Sequence, residues 1–288
     1  MRSFFWMVAT LLLSSSGSAA NARWRPLWNG KDFTGWNTWL GVPYPSEEVP
    51  GVPRKADGKY GSPLGLNRDP LKVFSVATVE GRSAIRISGQ IVGTLSTQEE
   101  WGNYQLRLQF KWGEIRWPPR VDLKRDSAVF FHGYDLGQAG PSAWPRCLEF
   151  QVTEGDVGDI STVTTKATVR GRPQGEDPAI YDPSGEEITL LTRLPKKGSN
   201  NHCTKAANFE KPHGAWNTLE LFCLNDEAIL VVNGGMAMRA TRIQRLNGQT
   251  WEPLTRGLIS LQSKSAEIFY RDIAVRSIKA MPTEFSGR

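Results

Sequence analysis

The sequence has few cysteines and histidines, with three of each among 288 residues. Cys147, Cys203 and Cys223 allow at most one internal disulfide, which excludes a scaffold held together by disulfides. His202 and His213 lie in a polar stretch without the ligand spacing of a zinc site, and this pattern is typical of solvated loop residues. A zinc centre is therefore not predicted.

The sequence also lacks an apolar run of the roughly 20 residues that a membrane-spanning helix needs. The run from Phe4 to Leu13 is shorter, follows Arg2 and precedes small residues. This pattern predicts a secretory signal peptide at residues 1–22. We expect the remaining chain, residues 23–288, to be secreted or periplasmic, with no stable membrane insertion.

A clustered stripe of positive charge is missing, although the net charge is +6 and the isoelectric point is near 9.3. Lysine and arginine are scattered among aspartate and glutamate along the whole chain, so a nucleic-acid partner is not expected. Hydrophobic residues make up 39% and charged residues 22% of the chain, which favours an ordered globular protein over a disordered one.

Helical periodicity is absent after the signal segment, whereas strand patterns recur. In Asn103 to Trp112, apolar side chains alternate with polar ones, which is typical of a strand with one buried face. Roughly a dozen such segments separated by turns predict an antiparallel β-sandwich or jelly roll. Gly171 to Pro212 is polar and rich in glycine, proline and lysine, and we predict a long loop there.

Two strand-like runs, Ser127 to His132 and Arg146 to Val152, carry the clearest polar side chains at predicted interior positions. Because side chains alternate along a strand, His132 shares a face with its apolar neighbours, and Glu149 shares one with Gln151. These three groups are predicted to meet. Such a cluster is either a functional site or a hydrogen-bonded polar group within the sandwich core.

Carboxylates also gather just after the second run. Asp156, Asp159 and Glu154 stand among glycines, a composition that suits a hard divalent cation such as Ca²⁺. Acidic turns that cap backbone amides without any metal have the same composition. A divalent cation at Asp156 and Asp159 therefore stays one of two interpretations, and the sequence predicts no other cofactor.

Several motifs in order resemble one known family. They are LWNGKDFTGW at 27–36, GLNRDPLKVFSV at 65–76, the segment 87–114, WPRCLEFQ at 144–151 with Gly158-Asp159 after it, and GAWNTLELFCLNDEAILVVNG at 214–234. Together with the closing GLISLQSKSAEIFYRDIAV, they resemble the 3-keto-disaccharide hydrolase domain family over nearly the whole chain after residue 22.

This resemblance implies a single-domain, all-β, concanavalin/laminarinase-like jelly roll that cleaves glycosides oxidised to a ketone at C3, with a small-molecule glycoside as substrate. It also implies roles for the matching residues. Glu149 is predicted as base or metal-linked acid, His132 as its acid-base partner, and Gln151 with Arg125 as contacts to enolate or hydroxyl oxygens. The further predicted substrate contacts are Trp144, Asp159, Trp117 and Lys111.

The chain departs from the family pattern at two places. Ala128 stands where the family usually has glycine, which is a mild change. After Asp159 the chain continues with Ile160-Ser161-Thr162, where related sequences often have bulky apolar residues. The contacts to substrate at this second place are therefore expected to differ.

Two other functions fit parts of the sequence. Glu149 to Glu154 resembles the E-x-D-x-x-E strand of laminarinase-type glycosidases, which need two carboxylates about 5 Å apart, but Gln151 replaces the central acid. A lectin-like module without chemistry would instead use exposed aromatic side chains, for which Trp39, Trp101, Trp117 and Trp144 are candidates.

Overall fold

The computed structural model describes residues 22–137, 144–192 and 200–285. All but the last residue of the predicted signal peptide, residues 1–22, lies outside the described residues. In the described ranges, no helix is long and apolar enough to cross a membrane.

One continuous sheet folds into two layers that enclose the core. The front layer runs in the spatial order β3-β2-β6-β20-β9-β10-β11-β15, with the short β7 beside β20. Numbered along the chain, its strands are β2 Trp36–Leu40, β3 Gly65–Leu66, β6 Gly93–Thr97, β7 Trp101–Gly102, β9 Asp126–Tyr134, β10 Arg146–Thr153, β11 Ile160–Val163, β15 His202–Thr204 and β20 Arg256–Ser263.

The back layer packs behind it. Its strands are β1 Arg25–Pro26, β4 Phe74–Val79, β5 Arg82–Ile87, β8 Tyr104–Arg116, β12 Thr165–Gln174, β14 Glu186–Leu191, β16 Asn217–Leu224, β17 Glu227–Val232, β18 Gly235–Asn247, β19 Thr250–Pro253 and β21 Ala266–Ser277. The strand β13 Asp177–Tyr181 pairs with both β12 and β15 and joins the two layers. The helical element of the described ranges is a short 3₁₀ turn, Thr283–Phe285.

The core forms between the inward faces of the layers. In β8, the predicted apolar face is confirmed, because Tyr104, Leu106, Leu108 and Phe110 are each at most 2% exposed. From the front layer, Val129 and Phe150 point into the same cluster. Removing a large area of apolar surface from water is the main favourable contribution to folding here. Side chains between these positions consequently point to the outer surface of the front layer, which we call the front face.

The predicted loop from Gly171 to Pro212 is wrong in part, since the end of β12 and the strands β13, β14 and β15 lie within it. These strands are short and polar on one side, so their alternation is weak in the sequence. Their inward residues, including Ala179, Leu190 and Cys203, nevertheless join the core cluster.

The three cysteines are buried free thiols. Burial raises the pKa of Cys203 and of Cys223 to about 12 and raises the pKa of Cys147 well above its usual value. A thiol that stays protonated is a poor nucleophile, so the cysteines act here as small buried apolar residues.

The turn between β10 and β11 depends on Gly158. Its φ is +109°, a backbone conformation that L side chains rarely adopt, and a Cβ at this position would lie 2.7 Å from the Cβ of Ala237. Gly158 thereby places Asp159 at the start of β11.

We expect Gly158→Ala to lower the free energy of unfolding by roughly 2 kcal/mol or more, since backbone strain and a steric clash act together. Gly234→Ala is the matched control, because Gly234 also has a positive φ, of +84°, but open space around its Cβ position. Urea unfolding of both variants measures the difference. Equal losses would contradict the steric part of this account.

Candidate functional site

One side chain from each of five neighbouring strands lines up across the front face. The five are Cα partners in succession across β20, β9, β10, β11 and β15, and they are Ser260, Phe130, Glu149, Ser161 and His202. Cross-strand partners share a face, and adjacent strands stand about 4.8 Å apart. We call these five residues the central row, and its middle member, Glu149, is 7% exposed.

A second group lies two to four residues along β9 and β10 from the central row, on the same face. The amide Nε2 of Gln151 donates to Asp126 Oδ1 at 3.1 Å, and the hydroxyl of Thr153 donates to the same oxygen at 3.0 Å. The other oxygen, Asp126 Oδ2, accepts from Arg120 Nη2 at 2.8 Å and lies 2.7 Å from Lys264 Nζ. Both cations are partly exposed, so positive charge stands at the Asp126 end of this polar face.

A third group of polar side chains lies at the His202 end of the central row. The ring of His202 lies 2.8 Å from Ser161 Oγ through Nδ1 and 3.1 Å from Asp159 Oδ2 through Nε2. The backbone amide of Lys205 donates to Asp159 Oδ1 at 3.0 Å, and its ammonium lies 3.3 Å from the same oxygen. Asp159 is thus a buried carboxylate with one oxygen held by Lys205 and the other by His202.

His132 does not join these groups, although the sequence predicts that it meets Glu149 and Gln151. The register of β9 shifts at this residue, and its φ is +52°, so the regular alternation breaks. Its fully buried ring packs 6.1 Å from the ring of Tyr104, a core residue, and its Nδ1 lies 3.0 Å from the carbonyl oxygen of Leu254. Burial lowers the pKa of His132 to about 4.

Arg125 and Glu154 lie in a separate cluster. Arg125 Nη1 donates to Glu154 Oε2 at 2.9 Å and its Nε donates to the carbonyl oxygen of Gly113, while Glu154 Oε1 lies 2.8 Å from His213 Nδ1. Burial alone would raise the pKa of Glu154, but hydrogen bonds from Arg125 and His213 outweigh it and lower that pKa. The carboxylate that a laminarinase-type pair would need therefore points away from Glu149.

The remaining predicted substrate contacts lie in different places. Trp144 packs beside Phe130, with ring centroids 5.9 Å apart, and Lys264 lies over its ring. The indole Nε1 of Trp117 donates to the carbonyl oxygen of Ser88. The backbone carbonyl oxygen of Trp117 accepts from the backbone amide of Arg120. Lys111 is on the outer surface of the back layer, where it pairs with Glu80 at 2.6 Å, so it does not reach the front face.

The two aspartates predicted to hold a cation are paired with lysines. Asp156 Oδ2 lies 2.6 Å from Lys124 Nζ, and Asp156 Oδ1 lies 3.8 Å from Lys205 Nζ, which also contacts Asp159. Within the described ranges, no group of three or more His, Cys, Asp or Glu side chains is arranged to hold a metal ion. Lysine ammonium groups thus supply the positive charge at this turn.

Polar side chains continue across the front face beyond the central row. Four hydroxyl or amide side chains on β6 and β20 are fully buried, and in the described part of the chain these polar atoms have no hydrogen-bond partner. They are Thr94, Ser96, Ser260 and Gln262. An unsatisfied buried polar group costs about 1–3 kcal/mol, so this cluster is an energetically costly feature of the front layer.

Sequence reasoning missed several of the residues that the fold brings to this face. His202 is absent from the sequence-based site because a polar stretch without clear alternation concealed β15, and without β15 the strand β11 offered no partner for Ser161. Arg120 and Asp126 lie six residues apart, whereas Lys264 comes from a distant segment, and only the fold brings it to Asp126.

The position of His132 has a testable consequence for stability. Because its folded pKa of about 4 lies below the unfolded value of 6.5, the unfolded chain binds more protons between these values, and stability falls as pH falls through that window. Between pH 7 and pH 4.5, we expect the free energy of unfolding of His132→Asn to fall by roughly 2–3 kcal/mol less than that of the parent protein. Urea unfolding at both pH values measures this, and equal losses would contradict a buried neutral His132.

Comparisons with known proteins agree with the sequence motifs. Residues 23–276 match the model of the 3-keto-alpha-glucoside-1,2-lyase-like domain. A crystal structure from Parabacteroides distasonis ATCC 8503, described as a candidate glycosyl hydrolase, is 16% identical with a TM-score of 0.48, and the match covers 93% of this chain and 99% of that one. A second such structure from the same organism is also 16% identical, with a TM-score of 0.46 and coverage of 89% and 100%.

The carbohydrate-binding module CBM66 from Bacillus subtilis is 8% identical, with a TM-score of 0.39, over 71% of this chain and 92% of that one. No curated protein matches this chain. The family model nevertheless spans most of the sequence and includes the central row. The protein therefore belongs to the 3-keto-alpha-glucoside-1,2-lyase-like domain family.

Proposed function

We propose that this protein cleaves 3-keto-glycosides on its front face, with Glu149 as the base that removes the C2 proton. The supporting observation is the position of Glu149 between two fixed groups, the Asp126 cluster on one side and the Asp159 cluster on the other. On the basis of the predicted signal peptide, we propose that this activity lies outside the cytoplasm.

The proposed reaction follows from the acidity of a proton next to a ketone. Glu149 takes the C2 proton, the C2–H electron pair forms an enolate with the C3 carbonyl, and the enolate expels the substituent at C1. Water then adds at C1 while a proton returns to C2, so the net change is hydrolysis of the glycosidic bond. Enzymes supply a positioned base and stabilise the enolate oxygen for such a reaction.

Positive charge near Glu149 supports the enolate step. Lys264 and Arg120 both contact Asp126, and their side chains are 22% and 27% exposed, so both stay partly accessible. A developing oxyanion within reach of these cations would be stabilised without any rearrangement of the protein. Gln151 lies between them and Glu149 and is suited to fix a sugar hydroxyl.

The face itself suits a sugar ring. Trp144 lies beside Phe130 and offers an aromatic surface, and the partly exposed Gln151 offers an amide for a hydroxyl. Sugars are recognised by such combinations of aromatic surface and a few placed polar groups. We do not assign His132, Arg125 or Lys111 to the substrate, since their side chains are engaged elsewhere in the fold.

A single substitution tests the base. We expect Glu149→Gln to lower kcat on a 3-keto-glucoside by about 100-fold or more, because a positioned base contributes at least that much. Glu220→Gln is the matched control, since Glu220 lies on β16 in the back layer, where it accepts a hydrogen bond from Gln105. Release of the alcohol measures turnover.

The substrate class is tested with the same protein. We expect release from the 3-keto-glucoside and none from the unoxidised glucoside. A loss below about tenfold for Glu149→Gln would remove Glu149 as the base. Equal cleavage of the unoxidised glucoside would overturn the 3-keto assignment, and binding of both without cleavage would favour a carbohydrate-binding protein.

A further inference from the structure

We infer that Ser161, supported by His202 and Asp159, protonates the leaving group, so that this site is built for glycosides of aliphatic alcohols such as a second sugar. The inference rests on the proposed elimination. Glu149 acts as the base in that step, so a second group has to act as the acid, and Ser161 takes this role. No motif of the sequence pointed to these residues as a unit.

The hydrogen bonds define the direction of proton movement. Asp159 is held against the Lys205 ammonium at 3.3 Å and acts as an acceptor, so His202 donates through Nε2. The opposite nitrogen, Nδ1, then exchanges one proton with Ser161 Oγ, 2.8 Å away. A carboxylate, an imidazole and a hydroxyl in series form a chain that moves a proton to or from the hydroxyl.

Ser161 stands where a leaving group would be. It is the Cα partner of Glu149 on the adjacent strand, so the two side chains begin about 5 Å apart on one face. One sugar ring between them can present its C2 hydrogen to Glu149 and its C1 oxygen to Ser161. Two side chains that begin this far apart can converge on the bonded atoms C1 and C2 of one ring.

His202 can exchange protons with water while Ser161 is nearly buried. The His202 side chain is 29% exposed, whereas Ser161 as a residue is 7% exposed. His202 also lines a groove of about 900 Å³ with Asn201, Asp177 and Thr189. The ring thus connects a solvent-filled groove with the hydroxyl at the central row.

The proton balance closes over one turnover. In elimination, Glu149 gains the C2 proton, Ser161 gives its proton to the departing oxygen, and imidazolium His202 returns a proton to Ser161. In hydration, neutral His202 takes a proton from the attacking water through Ser161, and protonated Glu149, which has exchanged its proton with water after elimination, gives a proton to C2. Both groups return to their starting states, and water is the only co-reactant.

An acid of this kind matters only for poor leaving groups. An aliphatic alkoxide is strongly basic and needs a proton as it departs, whereas a 4-nitrophenolate departs unaided. The presence of a supported proton donor beside Glu149 therefore indicates sugar or alkyl glycosides as the substrates.

Two substrates assayed on one preparation test this inference. We expect Ser161→Ala and His202→Gln each to lower kcat/KM by about 100-fold on a 3-keto-disaccharide but by less than about threefold on the 3-keto-glucoside of 4-nitrophenol. Because both substrates meet the same preparation, their ratio does not depend on the fraction of folded protein. Thr162→Val is the control, since its hydroxyl pairs with Thr192 and belongs to the next residue of the same strand.

Each remaining outcome has a distinct meaning. Equal losses on both substrates would show a structural or binding role and overturn the inference, and so would unchanged rates on both. If the parent protein releases the alcohol from neither substrate, the proposed function itself fails. If Thr162→Val shows the same substrate ratio as Ser161→Ala, the effect belongs to the strand and not to the Ser161 hydroxyl.

Discussion

The cross-strand register of the front layer determines which polar side chains meet at the candidate site. Glu149 faces Ser161, and Ser161 faces His202, because β10, β11 and β15 pair in one antiparallel register. A shift by one residue would turn these side chains into the apolar core and expose Leu148 and Ile160 instead. Burial of one face thus fixes the positions of the polar groups on the other, and the core and the site are specified together.

Charges near the central row are compensated by the protein itself. Asp159 has Lys205 and His202, and Asp126 has Arg120 and Lys264, so neither carboxylate is left uncompensated. Breaking such a buried pair is strongly destabilising, because it leaves one charge without its partner. Paired charges also hold their geometry in the absence of a ligand, which would reduce the reorganisation that the proposed reaction requires. The buried hydroxyl and amide groups of β6 and β20 differ from them, since they have no hydrogen-bond partner among the described residues.

Much of the fold was predictable because alternation is a local property. The apolar face of β8 and the shared face of Glu149 and Gln151 follow from counting residues in steps of two. His132 shows the limit of that counting, since a register shift turns its ring into the core, and a bulge of this kind leaves no local signature in the sequence. His202 shows another limit, because the three-residue strand β15 is too short to display a period and is defined by its partners.

Exchange at C2 tests the central claim most directly. The protein is incubated in D₂O with a 3-keto-glucoside and, separately, with the unoxidised glucoside, while NMR follows deuterium at C2 and release of the alcohol. The account predicts that deuterium enters C2 of the keto sugar together with alcohol release, at a rate far above that without protein, and that the unoxidised sugar shows neither. Alcohol release with the C2 proton fully retained would contradict proton abstraction as the route of cleavage.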